Sequence, residues 1–363
     1  MICLGIESSC DETSVALVDG TVLLGQLTFS QVDMHSVFGG VVPEMASREH
    51  LNKVAPLYQN LLRDTGIRQN QINVVAVARG PGLLGCLLVG ISFAKGLCLS
   101  LNIPLVGVNH LHAHLMAPGM EQELNFPAIG LLVSGGHTSL YLINSPFDFK
   151  LLGKTLDDAA GEAFDKAAKS LNIPYPGGIF IDRFASFAQP DHKMFPRPYL
   201  DNTNLDFSFS GIKTAMVYHV RDNPGLVLQN PTETGPDFKP SEELATVCSS
   251  YNWSIADSLR IKLKRALDRH EVKEVILAGG VAANTMIRES ISRLAMERKI
   301  RLIMPSIAMC TDNAAMIALY GHMLYTKGYH HSLNLEAVPR GRKIPWDYIT
   351  LMRDVPTTQF KQE

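Results

Sequence analysis

Short apolar runs, polar turns and longer amphipathic stretches follow one another along this chain. It opens with the apolar run Ile2 to Ile6, a polar turn from Glu7 to Glu12, and the runs Thr13 to Val18 and Val22 to Phe29. Apolar runs of about four to eight residues bounded by turn residues are typical of buried strands. The opening therefore predicts a strand, a polar turn and two further strands.

The next segment predicts helices that alternate with strands. Apolar residues have helical spacing from Arg48 to Leu62, where Pro56 predicts a kink or a later start. The elements predicted after it are a strand over Val74 to Ala78, an apolar helix over Leu83 to Leu101, a strand over Ile103 to Val108 and a helix that contains His110 and His114. The apolar helix is long enough to span a membrane, but Lys95 and three glycines favour a helix buried against a sheet.

The second half of the chain repeats the opening pattern. An apolar run from Ala128 to Val133, the turn Ser134-Gly135-Gly136-His137 and a run from Thr138 to Ile143 come in the same order. This echo predicts a duplicated α/β unit, although α/β chains also produce such echoes by chance. The elements predicted after it are a helix over Asp157 to Ser170, an irregular region over Pro174 to Pro240, a helix over Glu242 to His270, a strand over Glu274 to Ala278, a helix from Asn284, a strand around Leu302, a helix after Asp312 and a polar surface tail from Lys327 with a frayed end.

Composition adds a few constraints. A length of 363 residues with 46% hydrophobic positions predicts two lobes with sizeable cores. A formal charge of -2 excludes a global basic field for nucleic acid. Six scattered cysteines without a CxxC spacing indicate a reducing compartment, and the predicted strand at the start leaves no targeting segment to expect.

The histidines His110 and His114 are candidates for metal binding. Residues four apart share one face of a helix, so two imidazoles there can hold one ion, while His112 points away. Asp312 follows a strand-like run and opens a helical pattern, which makes its carboxylate a candidate third ligand. This set leaves coordination positions open, as a catalytic or substrate-gripping metal requires. By itself, a histidine pair in a chain with 12 histidines is more often an ordinary surface or core pair.

Three turns are candidates for ligand binding. Adjacent glycines in Ser134-Gly135-Gly136-His137 let a backbone approach a ligand closely, and Gly279 to Asn284 joins a buried strand to a helix N-terminus that favours anions. Asp11 and Glu12 in the opening turn are suited to hold a phosphate-bound metal or to orient an attacking group. Ordinary hairpins and helix entries have the same compositions and stay open as alternatives.

Together these segments resemble the universal tRNA threonylcarbamoyladenosine transferases of the TsaD type, once described as glycoproteases. The resemblance runs from Met1 to about Arg342. Its motifs are Gly5 to Thr13, Gly80-Pro81-Gly82, Asn109 to His114, Leu132 to Thr138, Ala160 to Lys166, Phe207 to Thr214, Gly279 to Asn284 and Cys310 to Asn313. One departure is His112, where many relatives carry an acidic residue.

The resemblance implies an α/β chain with the fold of actin, heat-shock chaperone ATPases and sugar kinases. In that fold, duplicated RNase H-like lobes surround a nucleotide cleft. The lobes are expected at residues 1–122 plus 326–363, with the metal-site helix, and at 123–325, with the nucleotide-binding motifs. The implied reaction is acyl transfer, in which threonylcarbamoyl passes from threonylcarbamoyl-AMP to N6 of adenosine-37 in tRNAs that read codons starting with A.

The resemblance also assigns roles to single positions. His110, His114 and Asp312 match the family's metal ligands for one divalent ion per subunit, with Fe2+ as the first expectation and Zn2+ as the second. The positions that match the family's adenylate-binding residues, for threonylcarbamoyl-AMP or ATP/ADP, are Val133, Ser134, Gly135, Gly136, His137, Asp165, Gly178, Asp182 and Asn284. From the residues alone, Asp165 fits a salt-bridged helix equally well, and Gly178 fits an ordinary turn. No residue is assigned as catalytic. The mixed-anhydride donor is already activated, so no covalent nucleophile is needed.

The implied setting is the cytoplasm, without a membrane. The implied partners are tRNA, a small paralogous subunit of the TsaB type and a P-loop ATPase of the TsaE type. A helical zinc peptidase is a second class, but it keeps a glutamate beside its first histidine, where this chain has Leu111. A sugar kinase shares the fold without needing a His/His/Asp group, and a non-catalytic nucleotide-binding scaffold leaves that group unexplained.

Overall fold

The computed structural model describes residues 1–197, 202–231 and 234–350. Their contacts group them into two compact units. Unit 1 contains Met1–Phe29, Pro43–Ala113 and the residues from Asn313 onward, and unit 2 contains Ser30–Val42 and His114–Asp312. The lobe boundaries expected from the resemblance, 122/123 and 325/326, stay a prediction.

Strands and helices alternate along the described residues. The strands are β1 (Ile2–Glu7), β2 (Glu12–Asp19), β3 (Val22–Ser30), β4 (Ile72–Gly80), β5 (Leu105–Asn109), β6 (Ala128–Val133), β7 (Thr138–Ser145), β8 (Asp148–Lys154), β9 (Glu274–Ala278), β10 (Arg301–Ile303), β11 (Tyr329–His330) and β12 (Ile349–Thr350). The helices are α1 (Val32–Ser36), α2 (Pro43–Thr65), α3 (Leu84–Leu101), α4 (His110–Met116), α5 (Ala160–Ser170), α6 (Gly177–Ala185), α7 (Ser210–Asp222), α8 (Glu242–Leu267), α9 (Thr285–Arg298) and α10 (Ala314–Thr326).

The sheet of unit 1 has the strand order β3-β2-β1-β4-β5. Strand β1 pairs antiparallel with β2 and parallel with β4, and β4 pairs parallel with β5. Leu4, Ile6 and Val75 of this sheet pack in one core with apolar residues of α2 and α3. Helix α10 lies so close to β1 that a Cβ on Gly5 would come 2.2 Å from the carbonyl oxygen of Ala314. The strand, turn and strands predicted at the start of the chain are therefore confirmed.

The sheet of unit 2 repeats this arrangement, with the order β8-β7-β6-β9-β10. Strand β6 pairs antiparallel with β7 and parallel with β9, and β9 pairs parallel with β10. Ile129, Leu131 and Val133 of β6 are buried in a core that includes apolar residues of α5 and α8. In each sheet the first strand is central, the next two extend to one side and the last two to the other. The predicted duplication is confirmed at the level of sheet topology.

Several helices differ from the sequence-based expectation. Helix α2 begins at Pro43 and continues through Pro56, because His50 and Val54 on its inner face are buried at helical spacing. The region predicted to be irregular, 174–240, contains α6 and α7. Their buried Ile181, Phe184 and Met216 lie in the core of unit 2, so tertiary packing stabilises helices that local composition does not favour.

Helix α3 is, by length and composition, able to span a membrane, and it is the one such helix within the described residues. Leu87, Ile91 and Cys98 on one face belong to the core that also contains residues of β1 and β4. Leu88 and Leu99 on other faces are exposed. The expected packing of this helix against a sheet is confirmed. Only a third of the helix is buried, because one face alone contacts the core.

The tail from Lys327 does more than cover a surface. The backbone N–H of Val338 donates to the carbonyl of Arg79 at 2.7 Å, and that of Arg340 donates to the carbonyl of Gly82 at 3.0 Å. Leu335 and Val338 are buried. The tail thereby holds the end of β4 and the start of the turn that follows it. The frayed end expected after it falls at 351–363, outside the described residues.

Candidate metal centre and nucleotide-binding turns

Helix α4 begins directly at the carboxyl end of β5. The side-chain oxygen of Asn109, the last residue of β5, accepts hydrogen bonds from the N–H groups of Leu111 at 3.0 Å and His112 at 3.4 Å. These two bonds satisfy N–H groups that the first turn of a helix leaves without an intrahelical partner. The predicted histidine helix is confirmed, and it places His110 and His114 one turn apart.

The structure brings together the three residues expected to bind a metal, which we call the metal-ligand group: His110, His114 and Asp312. One ligand atom from each lies within 4.8 Å of the other two. Nε2 of His114 lies 2.9 Å from Oδ1 of Asp312. Both histidines are buried and Asp312 is half-buried. Imidazole nitrogen and carboxylate oxygen are ligands that zinc and iron accept, so the group fits one divalent ion of this kind.

His112 lies apart from this group. Its ring makes an edge contact with the ring of Tyr320, with 6.2 Å between the centroids. Burial lowers the pKa of His112 to about 3, so the ring is neutral near neutral pH. The helical phase expected from the sequence is therefore present.

The turn between β1 and β2, Ser8 to Asp11, is contacted by a buried histidine of α2, and we call it the acidic turn. His50 of α2 is fully buried, with Nε2 2.9 Å from the carbonyl oxygen of Cys10 and Nδ1 2.8 Å from Oγ1 of Thr13. Because a carbonyl only accepts, Nε2 carries the proton and Nδ1 accepts from the threonine hydroxyl. Burial lowers the pKa of His50, which favours this neutral form. Asp11 is buried, while Glu12, the first residue of β2, is half-buried.

The turn between β6 and β7, Ser134 to His137, is a closed hairpin, and we call it the glycine turn. The N–H of Ser134 donates to the carbonyl of His137 at 2.8 Å, and the N–H of His137 donates to Oγ of Ser134 at 3.2 Å. A Cβ added to Gly135 would meet no atom of the described residues within 4 Å, so they leave open space beside it. A Cβ on Gly161 of α5 would come 2.6 Å from Cα of Gly135. Gly161 therefore permits the start of α5 to dock on the turn.

The junction after β9 has the open backbone expected of a ligand-binding turn. Gly279 has a φ of +95°, and a Cβ there would come 2.4 Å from the carbonyl oxygen of Val133. Val133 itself is fully buried. In the part of the chain that the structure describes, a Cβ on Gly280 would meet no atom within 4 Å. Asn284 is the N-cap of α9, and its Oδ1 accepts from the N–H of Ile287 at 3.0 Å.

The other predicted adenylate positions lie on α5 and α6. Oδ1 of Asp165 accepts from the N–H of Gly177 at 2.8 Å, so the carboxylate ties the two helices together. Gly178 is the second residue of α6 rather than part of an ordinary turn. Asp182 lies four residues further on, and residues four apart share one helix face.

Asn252 of α8 joins two of the predicted positions. Its Nδ2 donates to Oδ1 of Asp182 at 2.9 Å, and its Oδ1 accepts from Nδ2 of Asn284 at 3.0 Å. The other oxygen of Asp182 accepts from the N–H of Thr285 at 2.9 Å. Asn252 is fully buried and was not predicted as a site residue. A run of small polar residues in the middle of a long helix is the signal that points to it.

Glu7, the last residue of β1, is a second residue that sequence reasoning missed. Its side chain is fully buried, and Oε2 lies 2.9 Å from Nδ1 of His110. An acidic residue at the end of a fully apolar strand is the signal that points to it.

The motif from Phe207 to Thr214 surrounds a carboxylate at the start of α7. Oδ1 of Asp157 accepts from the N–H of Phe209 at 2.8 Å, and Oδ2 accepts from the hydroxyls of Ser208 at 2.5 Å and Ser210 at 2.8 Å. Burial raises the pKa of Asp157, but these hydrogen bonds outweigh burial and the pKa is lowered. The motif thus holds a charged carboxylate at a helix N-terminus.

Comparison with known sequences agrees with this geometry. The TsaD family, described as tRNA N6-adenosine threonylcarbamoyltransferase, matches residues 22–319 of the chain. A tRNA N6-adenosine threonylcarbamoyltransferase of Nitratidesulfovibrio vulgaris is 56% identical over 354 residues, which cover 96% of this chain and 98% of that protein. The protein of the same name from Maridesulfovibrio salexigens is 54% identical over 353 residues, which cover 96% and 99%.

Solved structures with low sequence identity share the fold. The full-length HypF structure has a TM-score of 0.54 at 13% identity and covers 89% of this chain and 46% of its own. Component A of (R)-2-hydroxyglutaryl-CoA dehydratase from Acidaminococcus fermentans has a TM-score of 0.50 at 13% identity and covers 90% and 100%. The expected actin, chaperone ATPase and sugar-kinase-like fold is confirmed. By its family match and its relatives, the chain belongs to the tRNA N6-adenosine threonylcarbamoyltransferases, acyltransferases that modify adenosine-37 of tRNA.

Proposed function

We propose that this chain transfers threonylcarbamoyl from threonylcarbamoyl-AMP to N6 of adenosine-37 in tRNAs that read codons starting with A, and that it does so with one metal ion and one adenylate site. The observation that carries the proposal is the metal-ligand group, in which Asp312 meets two histidines far away in sequence. A sugar kinase or a scaffold of the same fold has no need of this group.

The proposed adenylate site is built from residues of unit 2. The open space beside Gly135 and Gly280 lets a ligand approach the backbone without meeting a side chain. Asp182 and Asn284, linked through Asn252, offer hydrogen-bonding groups for a ribose or a base. Asp165 and Gly178 complete the site, together with Val133, Ser134, Gly136 and His137. The same site accepts ATP or ADP, which share the adenosine group.

The proposed metal ligands are His110, His114 and Asp312, with Fe2+ as the first choice and Zn2+ as the second. When bound, such an ion supplies positive charge that stabilises negative charge developing on donor oxygens. The chain holds the two histidines on one helix turn and keeps them buried, so water has little access to them. Their rigid placement suits substrate positioning better than a mobile loop would.

The chemistry requires no covalent enzyme intermediate. The donor is a mixed anhydride, so attack by N6 of adenine on its carbonyl carbon forms the new C–N bond and releases AMP, while N6 loses a proton. Adenine N6 is a weak nucleophile, so the main task of the protein is to hold N6 close to the carbonyl carbon of the donor. An unpaired base in a tRNA loop reaches the donor without the opening of a duplex.

The proposed partners follow the family. A small paralogous subunit of the TsaB type and a P-loop ATPase of the TsaE type act with this chain in the cytoplasm, with no membrane involved. A formal charge of -2 gives the chain little long-range attraction for tRNA, and partner surfaces are expected to supply it.

Reconstitution tests the proposal. Full-length protein, both partners, unmodified tRNA and threonylcarbamoyl-AMP are incubated, and tRNA digests are analysed by mass spectrometry. We expect a threonylcarbamoyl mark on adenosine-37 and no cleavage of a peptide library. Metal-dependent peptide cleavage without the mark would instead support the metallopeptidase alternative.

A further inference from the structure

Glu7 occupies a position where a charged side chain is costly unless it is paired. It is fully buried at the end of β1. Its Oε1 accepts from the N–H of Ser9 at 2.5 Å, and its Oε2 lies 2.9 Å from Nδ1 of His110. A buried carboxylate is retained when hydrogen bonds compensate for the loss of water. Both oxygens of Glu7 have such a partner.

The contact fixes which nitrogen of His110 carries the proton. A carboxylate oxygen accepts hydrogen bonds, so the 2.9 Å contact pairs Oε2 of Glu7 with a proton on Nδ1 of His110. The hydroxyl of Ser9 also lies near Nδ1, but at 3.4 Å it is the weaker contact. With the proton on Nδ1, the lone pair of the neutral ring is on Nε2.

We propose that Glu7 is a positioning residue that fixes His110 as an Nε2 metal donor. Histidine ligands commonly donate their other N–H to a carboxylate, which sets the ring orientation and raises its basicity. The inference rests on the proposed metal site, and it adds to that site a residue from a different strand. It also gives a physical reason for the acidic residue at the end of an otherwise apolar strand.

The first experiment reads the tautomer directly. Full-length metal-free protein carrying 15N-labelled histidine is examined by two-dimensional NMR, and the His110→Gln variant identifies the resonances of His110. We expect a neutral ring with the proton on Nδ1. A ring with its proton on Nε2 would overturn the inference, and this measurement needs no Glu7 variant to fold.

The second experiment compares Glu7→Gln with Ser8→Ala. Glutamine keeps the size of the side chain, but it replaces one of the two accepting oxygens by an NH2 donor, so it cannot present an acceptor to Ser9 and to His110 at the two observed positions. We expect Co2+ affinity, measured by chelator competition, to fall by about 10- to 100-fold. Ser8 is the matched control, because its buried hydroxyl donates to the carbonyl of Cys86 at 2.9 Å and not to His110. Ser8→Ala should retain the wild-type affinity.

The possible failures are distinguishable. Equal Co2+ affinity of wild type and Glu7→Gln, with both proteins folded, would overturn the role of Glu7. Wild-type protein that binds Co2+ with the expected tautomer but leaves no mark on tRNA would overturn the proposed function and support the role of Glu7. Wild-type protein that binds no Co2+ would overturn both.

Discussion

The acidic turn and the glycine turn stand at the same place in two sheets of the same topology, yet their chemistry differs. Each connects the central strand of its sheet to an antiparallel neighbour. The acidic turn contains the buried carboxyl group of Asp11 and follows that of Glu7 at the end of β1, whereas Gly135 leaves open space at the glycine turn. The comparison teaches that a repeated backbone fixes where the turns lie, while a few side chains decide whether buried carboxylates or open space lie beside each turn.

The junctions that follow β4 and β9 extend the contrast. A Cβ on Gly82 would come 2.6 Å from the carbonyl oxygen of Ser9, whereas a Cβ on Gly280 would meet none of the described atoms within 4 Å. The glycine in unit 1 permits close backbone packing. The glycine in unit 2 leaves open space beside the backbone, where a ligand could approach.

The largest expected effect is the loss of bound metal when a residue of the metal-ligand group is replaced. Replacing His110, His114 or Asp312 by alanine removes one of the three proposed ligands, so bound metal and tRNA modification should each fall at least about 100-fold. His112→Ala is the control on the same helix and should retain both, because its ring packs against Tyr320. Metal content by mass spectrometry and modified nucleoside by digestion measure the two effects. Loss of metal in His112→Ala alone would contradict the helical phase.

A second prediction compares the two glycines. Gly82→Ala should lower the free energy of unfolding by about 2 kcal/mol, because the added methyl group collides with backbone. Gly280→Ala should leave stability unchanged and weaken the binding of adenosine nucleotides. Denaturant unfolding and calorimetry measure the pair. A stable Gly82→Ala protein, or unchanged nucleotide affinity in Gly280→Ala, would break the contrast between the junctions.

A third prediction separates helix capping from nucleotide binding at Asn284. Asn284→Ala removes the cap on Ile287 and the bond to Asn252, so stability should fall by about 1 kcal/mol and nucleotide affinity about tenfold. Asn284→Ser keeps an oxygen that caps the helix but lacks the longer side-chain amide that donates to Asn252. We expect it to recover most of the stability and not the affinity. Equal affinity in Asn284→Ser and wild type would place the ligand elsewhere.

The smallest expected effect is a change in stability with pH that originates at His331 in the tail of unit 1. Nδ1 of His331 accepts from the N–H of Gly107 at 3.1 Å, and its Nε2 lies 3.1 Å from Arg79 and 3.3 Å from Asp347. Burial and then Arg79 lower the pKa of His331 to about 4, although Asp347 opposes them. Protonation of the ring disrupts the bond from Gly107 and places a second cation beside Arg79.

The sign of the pH effect follows from the lowered pKa. Between pH 6.5 and about 4 the unfolded chain binds a proton at His331 that the folded chain does not, so stability is present above this window and is lost as pH falls through it. Between pH 7 and pH 5.5 this group contributes a loss of about 1 kcal/mol. Denaturant unfolding of wild type and His331→Gln at pH 7 and pH 5.5 measures the contribution of His331 to this loss of stability. The same pH dependence in both proteins would contradict this origin.

The sequence by itself determined the features that depend on local pattern. The strand, turn and strands at the start of each half follow from apolar runs bounded by polar residues, and their repetition indicated the duplicated topology. Helical spacing placed His110 and His114 on one face and His112 on another. Asn284 was expected at a helix N-terminus because it follows a glycine-containing strand end, and it caps α9.

Only the tertiary structure decided which distant residues meet. Glu7 lies 103 positions from His110, and no local pattern encodes this contact. Asp312 lies 198 positions from His114; its place at the start of a helical pattern and the family resemblance made it a candidate ligand, but only the tertiary structure shows that the two side chains meet. Asn252 looks like an ordinary polar position on α8 until packing places it between Asp182 and Asn284. Periodicity records which face of an element is apolar, whereas strand order and helix docking determine which polar groups share a site. That is why the elements could be predicted from the sequence, and the second carboxylate at His110 could not.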